Sequence, residues 1–166
     1  MSRGGFVLVE VTIAYVLLVF ALVALVPVFI IAIRAGTNTE GLQAATYLST
    51  ELLEEIRLRR WDERTAAAGG HISAPSALGT DGVENPADKR TFDDVDDFNG
   101  WTESPAVDPV MRALPDFRMY TRTAAVAYVD AALAVSAAAT DRKMITVCTR
   151  TAKISPSCMS TLVTNR

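Results

Sequence analysis

The hydrophobic pattern divides the chain into four textures. From Val11 to Ile33 there are twenty-three residues without a charge. At about 1.5 Å of rise per residue they form a helix of roughly 35 Å, enough to cross a bilayer core of about 30 Å. Beyond Arg34 the pattern becomes amphipathic. In residues 38–63, Leu42, Ala45, Leu48, Leu52 and Ile56 recur at spacings of three and four, with Leu53 and Trp61 beside the stripe. That spacing predicts a helix with one apolar face for a sheet to cover. Gly36 and Gly41 are weak points between the two halves, so the expectation is one long, interrupted helix.

From Arg64 to Asp116 the periodicity is lost. Five of the seven prolines and five of the nine glycines fall in this stretch, which predicts a long loop without extended regular elements. The last fifty residues read as strands: 117–129, rich in Thr, Val and aromatics, then 143–151 and 158–164 in partial alternation. The alanine-rich 131–139 reads as connection, with a short helix as the other choice. The pattern therefore predicts an α+β fold. A long N-terminal helix, part membrane and part amphipathic, packs on a C-terminal antiparallel sheet, with a long αβ-loop between them. The divisions are 1–5, 6–34, 35–63, 64–116 and 117–166.

Length and charge narrow this picture. Of 166 residues, 132 lie beyond the stem, enough for one domain with a core. The net charge is −3; Arg3, Glu10 and Arg34 together carry +1, so the remainder carries −4. No basic stripe of the kind that binds nucleic acid is present beyond the short Arg57, Arg59, Arg60 patch. Within the helix, Glu54–Arg57 and Glu55–Arg59 have the spacing of weak surface ion pairs, and the Glu51–Arg57 run reads as a solvated face.

Glu10 is the anomaly of the apolar run. A carboxylate at mid-span costs about 2.5 to 3.5 kcal/mol on insertion scales, less near an end, and such a residue calls for a partner. Arg3 is seven residues back, and no other cation lies within helical reach. If the chain were cut after Gly5, the new amine of Phe6 would lie at the depth of Glu10. The amine of one copy then meets the carboxylate of the next and sets their axial register. A secretory signal does not explain the segment, because its apolar region runs about 7 to 15 residues before a small-residue cleavage site. Here the run continues to Arg34-Ala35-Gly36. Positive-inside counting has little to weigh, and the cysteines favour placing the C-terminal part outside.

Gly5-Phe6-Val7-Leu8-Val9-Glu10-Val11 resembles the processing and methylation motif of type IV prepilins and pseudopilins. The resemblance implies cleavage after Gly5 by a prepilin peptidase, methylation of Phe6, and a register role for Glu10. It also implies that Pro27 loosens the helix when subunits enter a filament; a proline there removes a donor and kinks a helix. The leader Met1–Gly5 is shorter than usual for the family and carries one basic residue.

The loop holds a second distinctive stretch, Phe92-Asp93-Asp94-Val95-Asp96-Asp97-Phe98-Asn99-Gly100-Trp101. Four carboxylates bracketed by aromatics suggest an acidic turn pinned to the core. Calcium takes about six to eight oxygen ligands, which makes Asp93, Asp94, Asp96, Asp97 and Asn99 candidate ligands. An EF-hand frame ending at Gly100 fails because Val95 sits at an acid position. The other reading is that the aspartates cap turns and keep the loop soluble. Together with Trp61-Asp62-Glu63, Gly69-Gly70 and Gly82-Val83-Glu84, this stretch looks like the minor pilins of the mannose-sensitive haemagglutinin pilus and the related pilus-modification minor pilins. It departs from some of them in lacking a cysteine near His71. The resemblance implies a low-abundance subunit that helps start or tip a filament.

The two cysteines, Cys148 and Cys158, stand opposite each other in an antiparallel hairpin centred on Lys153, which predicts a disulfide. An oxidising periplasm lets such a pair form. No C-x-x-C pair and no histidine pair offers a metal site, and the sole histidine, His71, sits in a Gly-Gly-His-Ile-Ser loop without a recognisable catalytic context. The expectation is a non-enzymatic, inner-membrane subunit with its C-terminal domain in the periplasm and then on a filament. It requires no certain cofactor; calcium is the one candidate. Its partners are other pilins, the prepilin peptidase, the assembly platform and the bilayer. The alternatives are an uncleaved single-span periplasmic binding module and a type II secretion pseudopilin.

Overall fold

The structure is a computed structural model that describes residues 4–66 and 69–166, with side chains from Leu8 onward. It has an α+β fold, one long helix followed by a four-stranded antiparallel sheet. Contacts divide it into two units, Met1–Glu40 and Gly41–Arg166.

The first unit is helical throughout its described residues, as part of α1, Gly4–Arg57. Its apolar side chains are exposed, and it carries the one helix among the described residues that is long and apolar enough to cross a membrane. The expected interruption is absent: α1 runs through Pro27, Gly36 and Gly41 without a break. A helix of this length retains most of its i→i−4 bonds on either side of one missing donor.

In the second unit, the end of α1 packs on the sheet. Ala45, Leu48, Leu52 and Ile56 are fully buried, as the three-and-four spacing predicts, whereas Leu42 is about half exposed. Leu42 lies one turn before the covered stretch. α1 ends at Arg57, six residues short of the predicted end at Glu63. Past that point tertiary partners win over helix propensity: the Arg60 amide bonds the Asp93 carbonyl at 3.3 Å, and Trp61 and Asp62 turn into the core.

The sheet order is β1-β2-β3-β4, with β1 Thr102–Glu103, β2 Thr121–Tyr128, β3 Arg142–Arg150 and β4 Ser157–Thr164. β2 and β3 alternate cleanly, so Ala124, Val126, Ile145 and Val147 face Leu52, Leu53 and Ile56 in one core. Residues 117–120 of the predicted first strand do not join β2, because Pro115–Phe117 form a 3₁₀ turn. The alanine-rich 131–139 is a connection, closed by a bridge between Val129 and Val135.

Among its described residues the αβ-loop has the 3₁₀ turn Asp96–Phe98, the two-residue β1 and the start of the Pro115–Phe117 turn, and its acidic turn is anchored in the core. Phe92 meets Phe98 and Trp101 edge-on at 5.0 and 5.3 Å, a favoured aromatic geometry. Gly100 takes φ of 85°, which a side chain disfavours, and its amide bonds the Ala124 carbonyl.

Candidate functional site

Gly5 and Phe6 lie at the start of α1, where the course of the helix is described and the side chains are outside the described residues; Met1–Arg3 are outside them altogether. Glu10 is one turn further on, exposed, and makes no ion pair among the described residues. Thr12 satisfies its own hydroxyl by donating to the Val9 carbonyl at 2.8 Å, so it supplies no partner to Glu10.

Cys148 and Cys158 form a disulfide. They occupy opposed positions in the β3–β4 register, the hairpin pairing read from their spacing. The bridge closes a ten-residue separation at the end of the sheet, where β4 is the outermost strand.

The acidic turn brings its aspartates close in sequence but aims them apart. Asp94 Oδ1 accepts the amides of Asp96 and Asp97, and Asp97 Oδ2 accepts the amides of Asp93 and Asp94. Asn99 Oδ1 accepts the Val126 amide, and Asp96 Oδ1 faces Lys143 Nζ at 2.5 Å. Asp93 pairs with Arg60. The five residues therefore do not converge as one cage; turn capping and a buried ion pair account for most of their oxygens. Acid oxygens do gather within 4.8 Å of one another in two other sets, Glu63–Asp93–Asp94 and Glu84–Asp93–Asp97. In the second, burial and the neighbouring Asp97 carboxyl push Glu84 up to about 7.

The least legible feature in the sequence is a pair of buried charge clusters. In the first, Lys143 on β3 is fully buried, and its ammonium donates to Asp96 Oδ1 at 2.5 Å, to the Trp61 carbonyl at 2.7 Å and to Asp62 Oδ2 at 3.4 Å. It lies 4.2 Å from the Trp61 ring centre and 5.4 Å from that of Tyr128. Burial pushes Asp94 up to about 9, helped by its hydrogen bond to the Asp96 carboxyl and by the acids around it. Asp96 is raised for the same first reason, partly offset by Asp94 and Lys143. Asp62 goes the other way: burial raises it, but the Arg64 and Ser76 amides, at 3.1 and 2.8 Å, together with Ser76 Oγ and Lys143, hold it below the usual range. Burial and the charges of Asp96, Asp62 and Asp94 raise the Tyr128 phenol, which donates to the Ser76 carbonyl at 3.0 Å.

The second cluster ties α1 to β2. Arg122 is fully buried and bonds the carboxylate of Glu103, the carbonyls of Leu48 and Val107, and Glu51 Oε2 at 2.9 Å. Lys89, also fully buried, lies 2.8 Å from Glu55 and 3.4 Å from Glu103. Two of the glutamates read as a solvated face thus turn inward. Glu55 pairs with Lys89 rather than Arg59, while Glu54–Arg57 forms at 2.7 Å as the spacing predicts. The one available sequence signal was the apolar company of these ions: Arg122 and Lys143 occupy inward positions of alternating strands.

His71 is exposed, as expected of a loop residue, with Nε2 3.1 Å from Asp141 Oδ1. No protein-family model, no curated protein sequence and no solved structure matches this chain.

Proposed function

We propose that this chain is a minor pilin or pseudopilin, a non-enzymatic subunit that primes, caps or modifies a type IV pilus-like filament after cleavage between Gly5 and Phe6. One observation carries the reading: Gly5, Phe6 and Glu10 stand at the head of an apolar helix that continues, unbroken, into the face packed on an antiparallel sheet. A helix that must serve first as a membrane anchor and then as a packing stem needs apolar side chains on all sides over its first half and one covered face over its second. Exposure of Leu8–Ile33 and burial of Ala45–Ile56 have that distribution.

Glu10 supports the same reading. Its carboxylate has no intrachain ion pair among the described residues, and a cut amine on a neighbouring copy supplies one at matching depth. The partners are then other pilins through the helix, the peptidase and assembly platform at the inner membrane, and the bilayer before assembly. The Cys148–Cys158 bridge suits an oxidising compartment for the head.

Mass spectrometry of the N-terminal peptide from membranes of a host with its own prepilin peptidase tests this. A methylated Phe6 at the start is the expected result. An intact Met1 overturns it and leaves an uncleaved anchored module. Glu10→Ala should still be cut yet enter filaments poorly; filaments with wild-type subunit content from that variant would contradict the register role.

A further inference from the structure

We propose that Lys143 and Asp96 condense to form an intramolecular amide, a covalent tie between β3 and the acidic turn of the αβ-loop. The side chains belong to residues 47 apart, both are almost completely buried, and Nζ lies 2.5 Å from Oδ1. That contact sets the amine directly against the carboxyl group with which it condenses.

The three acids around the amine occupy three different environments, and each environment fits one task. Asp96 is the acid in closest contact. Asp94 lies against Asp96, its Oδ1 accepting the Asp96 amide at 2.8 Å, and burial pushes it up to about 9, so it is placed to hand a proton to the Asp96 carboxyl. Asp62, held below the usual range by two backbone amides, stays ionised 3.4 Å from Nζ and can take a proton from it. Proton transfer within the Lys143–Asp96 pair yields a neutral amine and a neutral acid. The amine lone pair forms the Nζ–Cγ bond, one amine proton passes to Asp62, and the Asp94 proton goes to the departing hydroxyl. The Cγ–O bond breaks and water leaves. Return of the Asp62 proton to Asp94 restores both, so the net change is amine plus acid to amide plus water, with no oxidant or cofactor.

The driving force is also local. A buried ion pair loses several kcal/mol of hydration per ion, and condensation removes both charges. Trp61 and Tyr128, stacked around Nζ, keep bulk water from the site. Lys89 provides an internal control. It is equally buried, but Glu103, one of its two acids, is shared with a second cation, Arg122, so Lys89 sits among paired charges and stays an amine.

The test is mass spectrometry of the full chain extracted from membranes. The expected result is a branched peptide joining Lys143 to Asp96, lighter by one water than its two parts. Amine-reactive labelling of the denatured chain should then modify Lys89 and Lys153 but spare Lys143. Separate linear peptides and a labelled Lys143 from folded, disulfide-bonded protein would overturn the proposal. Asp94→Asn retains both reacting groups and should leave most of the chain unlinked; linkage in that variant as complete as in the wild type would also overturn it. The N-terminal peptide is read separately, so leader cleavage and condensation succeed or fail independently.

Discussion

The two buried charge clusters use similar residues to opposite electrostatic effect. Around Arg122 and Lys89, two cations face Glu51, Glu55 and Glu103, and the guanidinium spreads its donors over two carboxylates and two carbonyls. Around Lys143, one cation faces Asp62, Asp94 and Asp96. The first cluster is close to balanced and holds α1, β1 and β2 in place by directional bonds. The second carries an excess of acid, so it retains a proton. Buried charge acts as a structural tie where cations nearly match the acids and becomes pH-sensitive where acids outnumber them further.

Removing the cation of each cluster separates them most strongly. Arg122→Met should cost about 3 to 5 kcal/mol, because it removes the guanidinium from Glu103, Glu51 and two carbonyls at once and leaves the buried Glu103 carboxylate with Lys89 as its remaining cation. Compared in the unlinked Asp94→Asn background, Lys143→Met should cost less, since Asp96 can take a proton in place of the lost charge. Urea unfolding of the two variants measures both, and an equal loss would erase the distinction.

A second prediction concerns pH. Asp94 rises from 3.8 to about 9 on folding and Glu84 from 4.5 to about 7. The folded state therefore holds more protons than the unfolded state between these values. Their contribution is complete below the unfolded values and is lost as pH climbs through the folded ones. Melting temperature should fall between mildly acid pH and pH 9, and Asp94→Asn should flatten the upper part of that fall. A melting temperature that rises over this interval would contradict the assignment.

The smallest contrast lies on adjacent residues of α1. Glu55→Gln breaks a buried pair with Lys89 and should cost about 1 to 3 kcal/mol. Glu54→Gln loses only the exposed pair with Arg57, worth about 0.2 to 0.5 kcal/mol. The difference can be read from the same unfolding curves.

Much of the architecture was legible because it depends on periodicity. Spacings of three and four marked Ala45, Leu48, Leu52 and Ile56, alternation marked β3, and the midpoint at Lys153 paired Cys148 with Cys158. The aromatic bracket around the acidic turn also predicted its anchoring. The roles of the acids were not legible. Asp93, Asp94, Asp96 and Asp97 are alike in a string of letters, yet one meets Arg60, two cap backbone amides and one meets Lys143. Only the approach of segments distant in sequence distinguishes them.

Local sequence by itself determined the long apolar helix with Glu10 near its head, the covered stripe, the strands and the hairpin bridge, since each arises from spacings within one segment. Tertiary structure alone decided where α1 stops, which glutamates turn inward, and which carboxyl keeps its proton. Those outcomes depend on burial and on partners as far as 82 residues away, as the bond from Lys143 to the Trp61 carbonyl shows. The physical reason is that the energy of an ion is set by the charges and dipoles brought around it in space, whereas the amphipathic pattern is already present along the chain.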